Sequence, residues 1–409
     1  MQLSSKLLSH SVVYLSCELL AKLVPFMMLP YLTRVLSMDE FGRIGLINAL
    51  QALVIIAINW SFEGGVIRYY YRYGRNGINS TLYASFILIS TLNLFAIFVS
   101  LIIDNDLLLL ATLYAYLQAV FNLSLSVKQC QKKVLEYGLQ QILFSIMSVG
   151  FTVLFFNLFE YTAKIRILAL CLALLICSSA CICTIIFNKK IKLIRIFNNR
   201  LAWRNIKYLS AFGLPLILHQ LSLFSKGQLD RLVIADVYSL PDLAKYTASI
   251  QISSAYLVAI TALNKASMPF YFEYLKNNNG KNKIFKWVLI SLIAGAFPGG
   301  ISLLLPDSFF TYVFGAKYIG LSYFVSIFMF GFGLQVPYLV LVNYLFFFNK
   351  TTLIAISTGA SSLAYLGILF ILTGHGMKYI PLSMLISNLI CLLTLSFFVR
   401  RHMIKMATI

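Results

Sequence analysis

This sequence is short of charge, and above all of negative charge. Only 11% of its 409 residues are Asp, Glu, Lys or Arg, and the acids number 13 against 33 bases. A soluble globular chain carries roughly 25% charged residues, so the deficit excludes a soluble domain of ordinary composition. Histidine is scarce as well. His10, His219, His375 and His402 stand too far apart to suggest a metal site. The seven cysteines (Cys17, Cys130, Cys171, Cys177, Cys181, Cys183 and Cys391) are odd in number and follow no paired zinc spacing. A disulfide framework or a zinc module is therefore not expected. No phosphate-cradling loop ending in Gly-Lys-Ser/Thr occurs, and no Gly-x-Ser-x-Gly nucleophile elbow. The expectation is a protein that is not an enzyme and takes neither a cofactor nor a metal.

What the chain has in abundance is apolar sequence. Hydrophobic residues make up 60% of it, and the mean hydropathy is +0.85. A helix needs about 20 apolar residues to cross a bilayer. Twelve windows meet that length: residues 10–33, 43–62, 81–103, 107–126, 138–158, 167–187, 210–235, 246–269, 287–305, 320–346, 352–373 and 380–399. The fold class expected is all-α, a polytopic membrane protein of twelve transmembrane helices. The N-terminal run is too long and too charged for a cleavable signal and is expected to remain as the first helix. Asp104-Asn105-Asp106, between the third and fourth windows, reads as a tight turn.

Placing both termini in the cytoplasm puts 22 Lys and Arg in inner connections and seven in outer ones. Cytoplasmic loops collect basic residues, so this sidedness accounts for the net charge of +20. No basic face with interleaved aromatics supports a nucleic-acid partner. A basic stretch, 188–209, separates residues 1–187 from 210–409, with six windows on each side. It reads as an amphipathic surface helix around Trp203 or as a charged linker. Two six-helix bundles of equal orientation imply a parallel repeat about a pseudo-two-fold axis along the membrane normal. A faint echo agrees: Glu40-Phe41-Gly42-Arg43 corresponds by type to Asp242-Leu243-Ala244-Lys245, and both start the second helix of a half.

Two windows hold charges that lipid does not tolerate. The first carries Glu18 and Lys22, and the seventh carries Lys226, Asp230 and Arg231. A charge near the bilayer centre costs about 3 kcal/mol and persists only facing a bundle interior or a wet cavity. Glu18 with Lys22, and Lys226 with Asp230, are four apart, so each pair is expected to share a helix face and partly neutralise itself. Arg231, and Lys265 in the eighth window, are then surplus cations. The balance predicts a net-cationic polar cavity at a seam between the halves, suited to an anionic cargo. Arg matches phosphate bidentately. The same pairs would serve equally as staples between helices, and Lys265 could snorkel to the headgroups. Glu18 and Asp230 read either as ion-coupling groups or as partners of neighbouring bases. Pro25, Pro30 and Pro215 are expected to break or kink the first and seventh helices and act as hinges. Asn48, Gln51 and Asn59 in the second window read as inter-helix hydrogen bonds.

Several motifs resemble a known family. Pro30-Tyr31-Leu32-Thr33-Arg34 followed by Glu40-Phe41-Gly42, then Gly213-Leu214-Pro215, then Phe314-Gly315-Ala316-Lys317-Tyr318, occur in the order and spacing of Wzx-type polysaccharide (O-antigen repeat unit) flippases. These belong to the multidrug/oligosaccharidyl-lipid/polysaccharide exporter superfamily. The resemblance implies two six-helix bundles that rock between inward- and outward-open states. It implies transport of an undecaprenyl-diphosphate-linked oligosaccharide repeat unit, for O-antigen of lipopolysaccharide, capsule or a similar glycan, across the bacterial inner membrane. Lys22, Lys226, Arg231 and Lys265 would hold the diphosphate, and Glu18 or Asp230 would couple transport to H+ or Na+. Membrane lipids, a polysaccharide polymerase and a chain-length regulator would be its partners. Other readings stay open at this stage: a peptidoglycan lipid-precursor flippase, another ion-coupled exporter, or a membrane polymerase or acyltransferase. The short connections and the absence of a histidine-bearing motif weigh against the last.

Overall fold

The structure, a computed structural model, describes residues 16–17, 19–74, 78–186, 199–277 and 283–407. A helical stretch over 19–27 turns at Met28 into α1 (Leu29–Val35). There follow α2 (Met38–Asn59), α3 (Phe62–Tyr73), α4 (Ile78–Ile102), α5 (Asp106–Cys130), α6 (Val134–Leu158) and α7 (Ala163–Ile186). Then come α8 (Asn199–Gly227), α9 (Leu229–Val237), α10 (Leu240–Asn277), α11 (Ile284–Leu304) and α12 (Asp307–Phe314). The chain closes with α13 (Leu321–Gly333), α14 (Gln335–Phe347), α15 (Thr351–Thr373) and α16 (Ile380–Ala407). No strand occurs among the described residues. Ten helical segments of the described residues are long and apolar enough to cross a membrane. Each of the twelve apolar windows is mainly helical where it is described, with short breaks at Met28, Trp60–Ser61, Gln228 and Leu334, so the all-α, polytopic expectation holds.

Burial is distributed as lipid requires. Leu218, Leu263, Phe270, Phe297 and Leu304 turn 67–85% of their surface outward. Ser249, Ser253, Ser357, Ser361, Ser383 and Ser387 are fully buried. Against lipid tails, packing is driven by close approach of small residues and by internal hydrogen bonds, not by expulsion of apolar surface from water. The buried serines supply both. Ser253 Oγ donates to the Val325 carbonyl at 3.2 Å, joining α10 to α13.

The chain resolves into two compact units. One comprises the residues up to Met28 with Arg43–Phe224, the other Leu29–Gly42 with Ser225–Ile409. The core of the first gathers Val54, Ile58, Phe62, Val66, Leu123 and Leu209 from α2, α3, α5 and α8. That of the second gathers Leu275, Ile284, Leu341, Tyr344, Leu392 and Leu395 from α10, α11, α14 and α16. The first division, between Met28 and Leu29, coincides with the turn that ends the opening helical stretch. Pro30 lies in the first turn of α1, where its missing N–H removes no bond that the helix needs.

Within the second unit, two of the motifs meet although about 280 positions separate them. Arg34 donates to the Tyr312 carbonyl, and Lys317 Nζ donates to the Leu36 carbonyl at 3.4 Å. Phe41 and Tyr318, both buried, pack edge to face with centroids 6.2 Å apart. Gly42 lies so near the start of α10 that a Cβ there would come 2.2 Å from the Leu240 carbonyl oxygen. The Glu-Phe-Gly pattern is thus a packing signature.

Four local expectations meet different outcomes. The Asp104–Asp106 turn forms as read: Asp104 has φ +54°, and the Asn105 side chain caps α5 by accepting the Leu108 N–H at 3.0 Å. The second window does not end at 62. After a left-handed pair, Trp60 (φ 44°) and Ser61 (φ 56°), the helix resumes as α3 and runs on to Tyr73. Pro215 does not break the seventh helix, because α8 is continuous through it. The break comes at Gln228, where no proline stands. Of the basic stretch, residues 188–198 lie outside the described residues, and helix begins at Asn199.

Candidate functional site

The clearest concentration of buried polarity lies in the second unit, at the break after α8. Gln228 leaves helical geometry (φ −143°, ψ −24°), and α9 starts at Leu229. Asp230 and Arg231 therefore occupy the first turn of a new helix, only 4% and 7% exposed. An acid in a first turn is favoured by the orphan N–H groups and the helix dipole. Asp230 uses this directly: Oδ1 accepts the Arg231 backbone N–H at 2.9 Å. Its other oxygen, Oδ2, accepts the hydroxyl of Tyr246 from α10. Tyr246 is fully buried, and Tyr365 of α15 is 1% exposed with no hydrogen-bond partner for its hydroxyl.

The Gln228 amide oxygen is buried without a partner as well, and Arg231 is the unsatisfied charge. Its Nε is buried without an acceptor, and its guanidinium forms no ion pair among the described residues. A buried donor left unmatched costs about 1–3 kcal/mol, more when charged. The site therefore holds a cation ready for an acceptor, next in sequence to a carboxylate whose two oxygens are already engaged.

The expected Lys226–Asp230 pair does not form. The four-residue spacing assumes one continuous helix, and the break at Gln228 removes that continuity. Lys226, in the last turn of α8, donates instead to Ser361 Oγ of α15 at 2.8 Å and to Asn388 Oδ1 of α16 at 3.2 Å. Asn388 in turn donates to the Gly331 carbonyl of α13 at 3.0 Å. Neutral oxygens thus take the place of the predicted carboxylate.

The other expected residues are dispersed. Lys265 is exposed on α10, about 28 Å along that helix from Tyr246 at 1.5 Å per residue. Lys22 is exposed on the helical stretch 19–27 of the first unit, and Pro25 is partly buried on the same stretch. Glu18, and with it the Glu18–Lys22 pair, lies outside the described residues.

A second polar break, in the first unit, was missed by the sequence reading. It falls between α2 and α3. Asn59 does not reach a neighbouring helix as expected; its Nδ2 donates along its own chain to Glu63 Oε2 at 2.7 Å. Glu63 escaped notice because the second window was cut at residue 62. The usable signal was Asn59 and Glu63 four apart, followed by Gly64-Gly65. From α8, Gln220 donates to Ser61 Oγ, and Gly213 packs on Trp60 so closely that a Cβ would stand 2.4 Å from the Trp60 carbonyl oxygen.

Residues 7–275 match the family described as polysaccharide biosynthesis protein. Over 389 residues the chain is 33% identical to the Lsg locus putative protein 1 of Haemophilus influenzae, a match covering 94% of this chain and 96% of that protein. It is 31% identical over 389 residues, 94% of each chain, to a Haemophilus influenzae protein described as an uncharacterized membrane protein. An inward-facing multidrug resistance MATE family transporter of the MOP superfamily superposes with a TM-score of 0.72 at 15% identity, over 97% of this chain and 99% of that one. The lipid II flippase MurJ, in an inward closed conformation, gives 0.71 at 12% identity over 95% and 87%. At such identities the two solved structures speak for the fold alone. The chain belongs to the polysaccharide biosynthesis protein family and is a multi-span membrane protein with the fold of MOP superfamily transporters.

Proposed function

We propose that this protein is a flippase that moves undecaprenyl-diphosphate-linked oligosaccharide repeat units, for O-antigen, capsule or a similar glycan, across the bacterial inner membrane by alternating access. The observation that carries the reading is Arg231: a buried guanidinium with an unmatched donor, in a transmembrane chain of a polysaccharide family. Guanidinium and phosphate oxygens pair through charge-assisted, bidentate hydrogen bonds. In this proposal the diphosphate supplies the acceptors that Arg231 lacks. Lys226 adds positive charge one turn before the break, exchanging its neutral partners Ser361 and Asn388 for phosphate. Asp230, held by Tyr246, fixes the turn that presents Arg231. Lys22 and Lys265, both exposed, serve as further contacts for an anionic headgroup. An inside-negative potential favours outward movement of the anion by about 2.3 kcal/mol per charge per 100 mV. The termini are assigned to the cytoplasm.

Flipping of a fluorescent diphosphate-linked oligosaccharide in proteoliposomes tests this. Arg231→Ala is expected to lower the rate roughly 10- to 100-fold, the equivalent of a charged hydrogen bond worth about 1.5–3 kcal/mol, with Arg231→Lys between the two. An unchanged rate in Arg231→Ala at equal protein level removes the proposed phosphate contact. Lipid II, offered as cargo in parallel, separates the two flippase readings. Preferential transport of it would assign the chain to peptidoglycan precursors.

A further inference from the structure

The first unit holds a carboxylate for which the proposed phosphate contacts have no use. Glu63 lies in the first turn of α3, immediately after the left-handed pair Trp60–Ser61. Its partner is the Asn59 amide, whose Nδ2 donates to Oε2 at 2.7 Å. Asn59 is 4% exposed, and its Oδ1 is buried with no donor. This half-made pairing suits an ionised carboxylate, which can only accept, and it strands the amide oxygen. A protonated carboxyl behaves differently. A carboxylic acid and a primary amide can join face to face through two bonds, N–H to one carboxyl oxygen and O–H to the amide oxygen. A donor to Asn59 Oδ1 is what this pair lacks.

We propose that Asn59 and Glu63 form a proton-binding site, in which a proton taken up by Glu63 is shared with Asn59 Oδ1 and closes a two-bond ring across the α2–α3 break. Balance is simple: Glu63 goes from carboxylate to carboxyl, the proton comes from water on one side of the membrane, and no bond other than O–H is made or broken.

The surroundings leave that proton's place open. Titratable groups on the elements packed around the break include Asp39, Glu40 and Arg43 at the start of α2, Arg68, Tyr69, Tyr70, Tyr71, Arg72 and Tyr73 on α3, Tyr83 on α4, Asp106, Tyr114, Tyr116, Lys128 and Cys130 on α5, and Arg204, Lys207, Tyr208 and His219 on α8. None pairs with Glu63 among the described residues. Arg68, the nearest cation along α3, places its guanidinium over the Phe212 ring at 5.4 Å instead. With no cation paired to it among the described residues, a partly buried carboxylate in an apolar bundle is poised to exchange its charge for a proton. A metal ion fits less well, since hard cations take about six or more oxygens and the pair offers one amide and one carboxyl group.

The site is also mechanically connected. Closing the ring draws Asn59 and Glu63 together over the two left-handed residues. Both of these are gripped from α8, Ser61 by the Gln220 amide and Trp60 by the backbone at Gly213. In this proposal proton occupancy is felt along the part of α8 that belongs to the first unit. The use of this proton in export rests on the flippase reading; the binding of the proton does not.

Trp60 is the natural reporter. In a Trp203→Phe/Trp287→Phe background, in lipid nanodiscs, its emission is expected to shift through one single-proton transition as pH is varied. Glu63→Gln should abolish the transition and fix the spectrum of the acid limb, because the carboxamide can donate to Asn59 Oδ1 as the acid does. Infrared difference spectra of the unsubstituted protein should show a carboxyl C=O band appear on acidification over the same pH range. A flat emission profile, a transition that survives in Glu63→Gln, or the absence of the carboxyl band overturns the proposal. So does a shift produced by sodium chloride at constant pH, which would assign the site to a metal cation. A pH transition at Trp60 combined with no flipping of diphosphate-linked cargo would sink the flippase reading and leave the proton site standing.

Discussion

The two helix breaks, Trp60–Ser61 in the first unit and Gln228 in the second, share a plan and differ in what they leave undone. Each places an acid in the first turn of the helix that follows, Glu63 or Asp230. Each acid is held by a neutral side chain, Asn59 or Tyr246. At the first break the unmatched atom is an oxygen, Asn59 Oδ1; at the second they are Arg231 Nε, the amide oxygen of Gln228 and the Tyr365 hydroxyl. The first break has room for a donor only, whereas the second leaves a charged donor, Arg231, in want of an acceptor. In the two proposals, a proton answers Asn59 Oδ1 and a phosphate oxygen answers Arg231. Similar backbone devices in one chain can thus serve opposite ligands, because chemistry is set by the few polar atoms that packing leaves unmatched.

The contrast can be broken at several points. The largest effect is expected for Asp230→Ala, which takes the acceptor from the Tyr246 hydroxyl and leaves Arg231 the only charge in a buried turn. An uncompensated buried charge costs about 3 kcal/mol or more, to be read as a lowered thermal midpoint in detergent. Gly213→Ala comes next and touches only the first break. A Cβ there, 2.4 Å from the Trp60 carbonyl oxygen, forces α8 away at a cost of about 1–3 kcal/mol, and Trp60 emission should change with it. Tyr246→Phe removes one charge-assisted hydrogen bond without creating space, a loss of about 1.5 kcal/mol; little change in the thermal midpoint would mean that Asp230 does not depend on it. Lys226→Met should have the smallest effect on stability, about 1 kcal/mol. Its bonds run to neutral oxygens, and its stem is kept. A destabilisation as large as that of Asp230→Ala would show that Lys226 belongs to the Asp230 network after all.

Much of this was legible in one dimension and some was not. Lys226, Asp230 and Arg231 announced themselves as charges in an apolar run, and the charge cost in lipid made them conspicuous without coordinates. Their pairing was misread because the four-residue rule presumes an unbroken helix, and nothing in Lys226-Gly227-Gln228-Leu229 marks the break strongly. Pro215 misled in the opposite sense. Transmembrane helices tolerate proline when neighbours and side chains satisfy the freed carbonyl, and α8 passes through it. Trp60–Ser61 was hard to place, since bulky residues rarely adopt positive φ and the glycines that signal the break, Gly64 and Gly65, come after it. With that break hidden, Glu63 fell outside the window and out of consideration. Gly42 and Gly213 were recognisable as parts of motifs, but their reason, contact with the Leu240 and Trp60 backbones, is a matter of neighbours in space.

Composition and periodicity alone determined that this chain lives in lipid, that it is helical, where its apolar segments lie and where its turn at Asn105 falls. Those properties follow from solvent and from local backbone chemistry, which act residue by residue. Tertiary structure decided which polar atoms find partners. Lys226 meets Ser361 and Asn388, 135 and 162 residues away, while Asn59 Oδ1 and Arg231 Nε meet none. Hydrogen bonds are completed by whatever packing brings within 3 Å or so, and sequence distance carries no record of that.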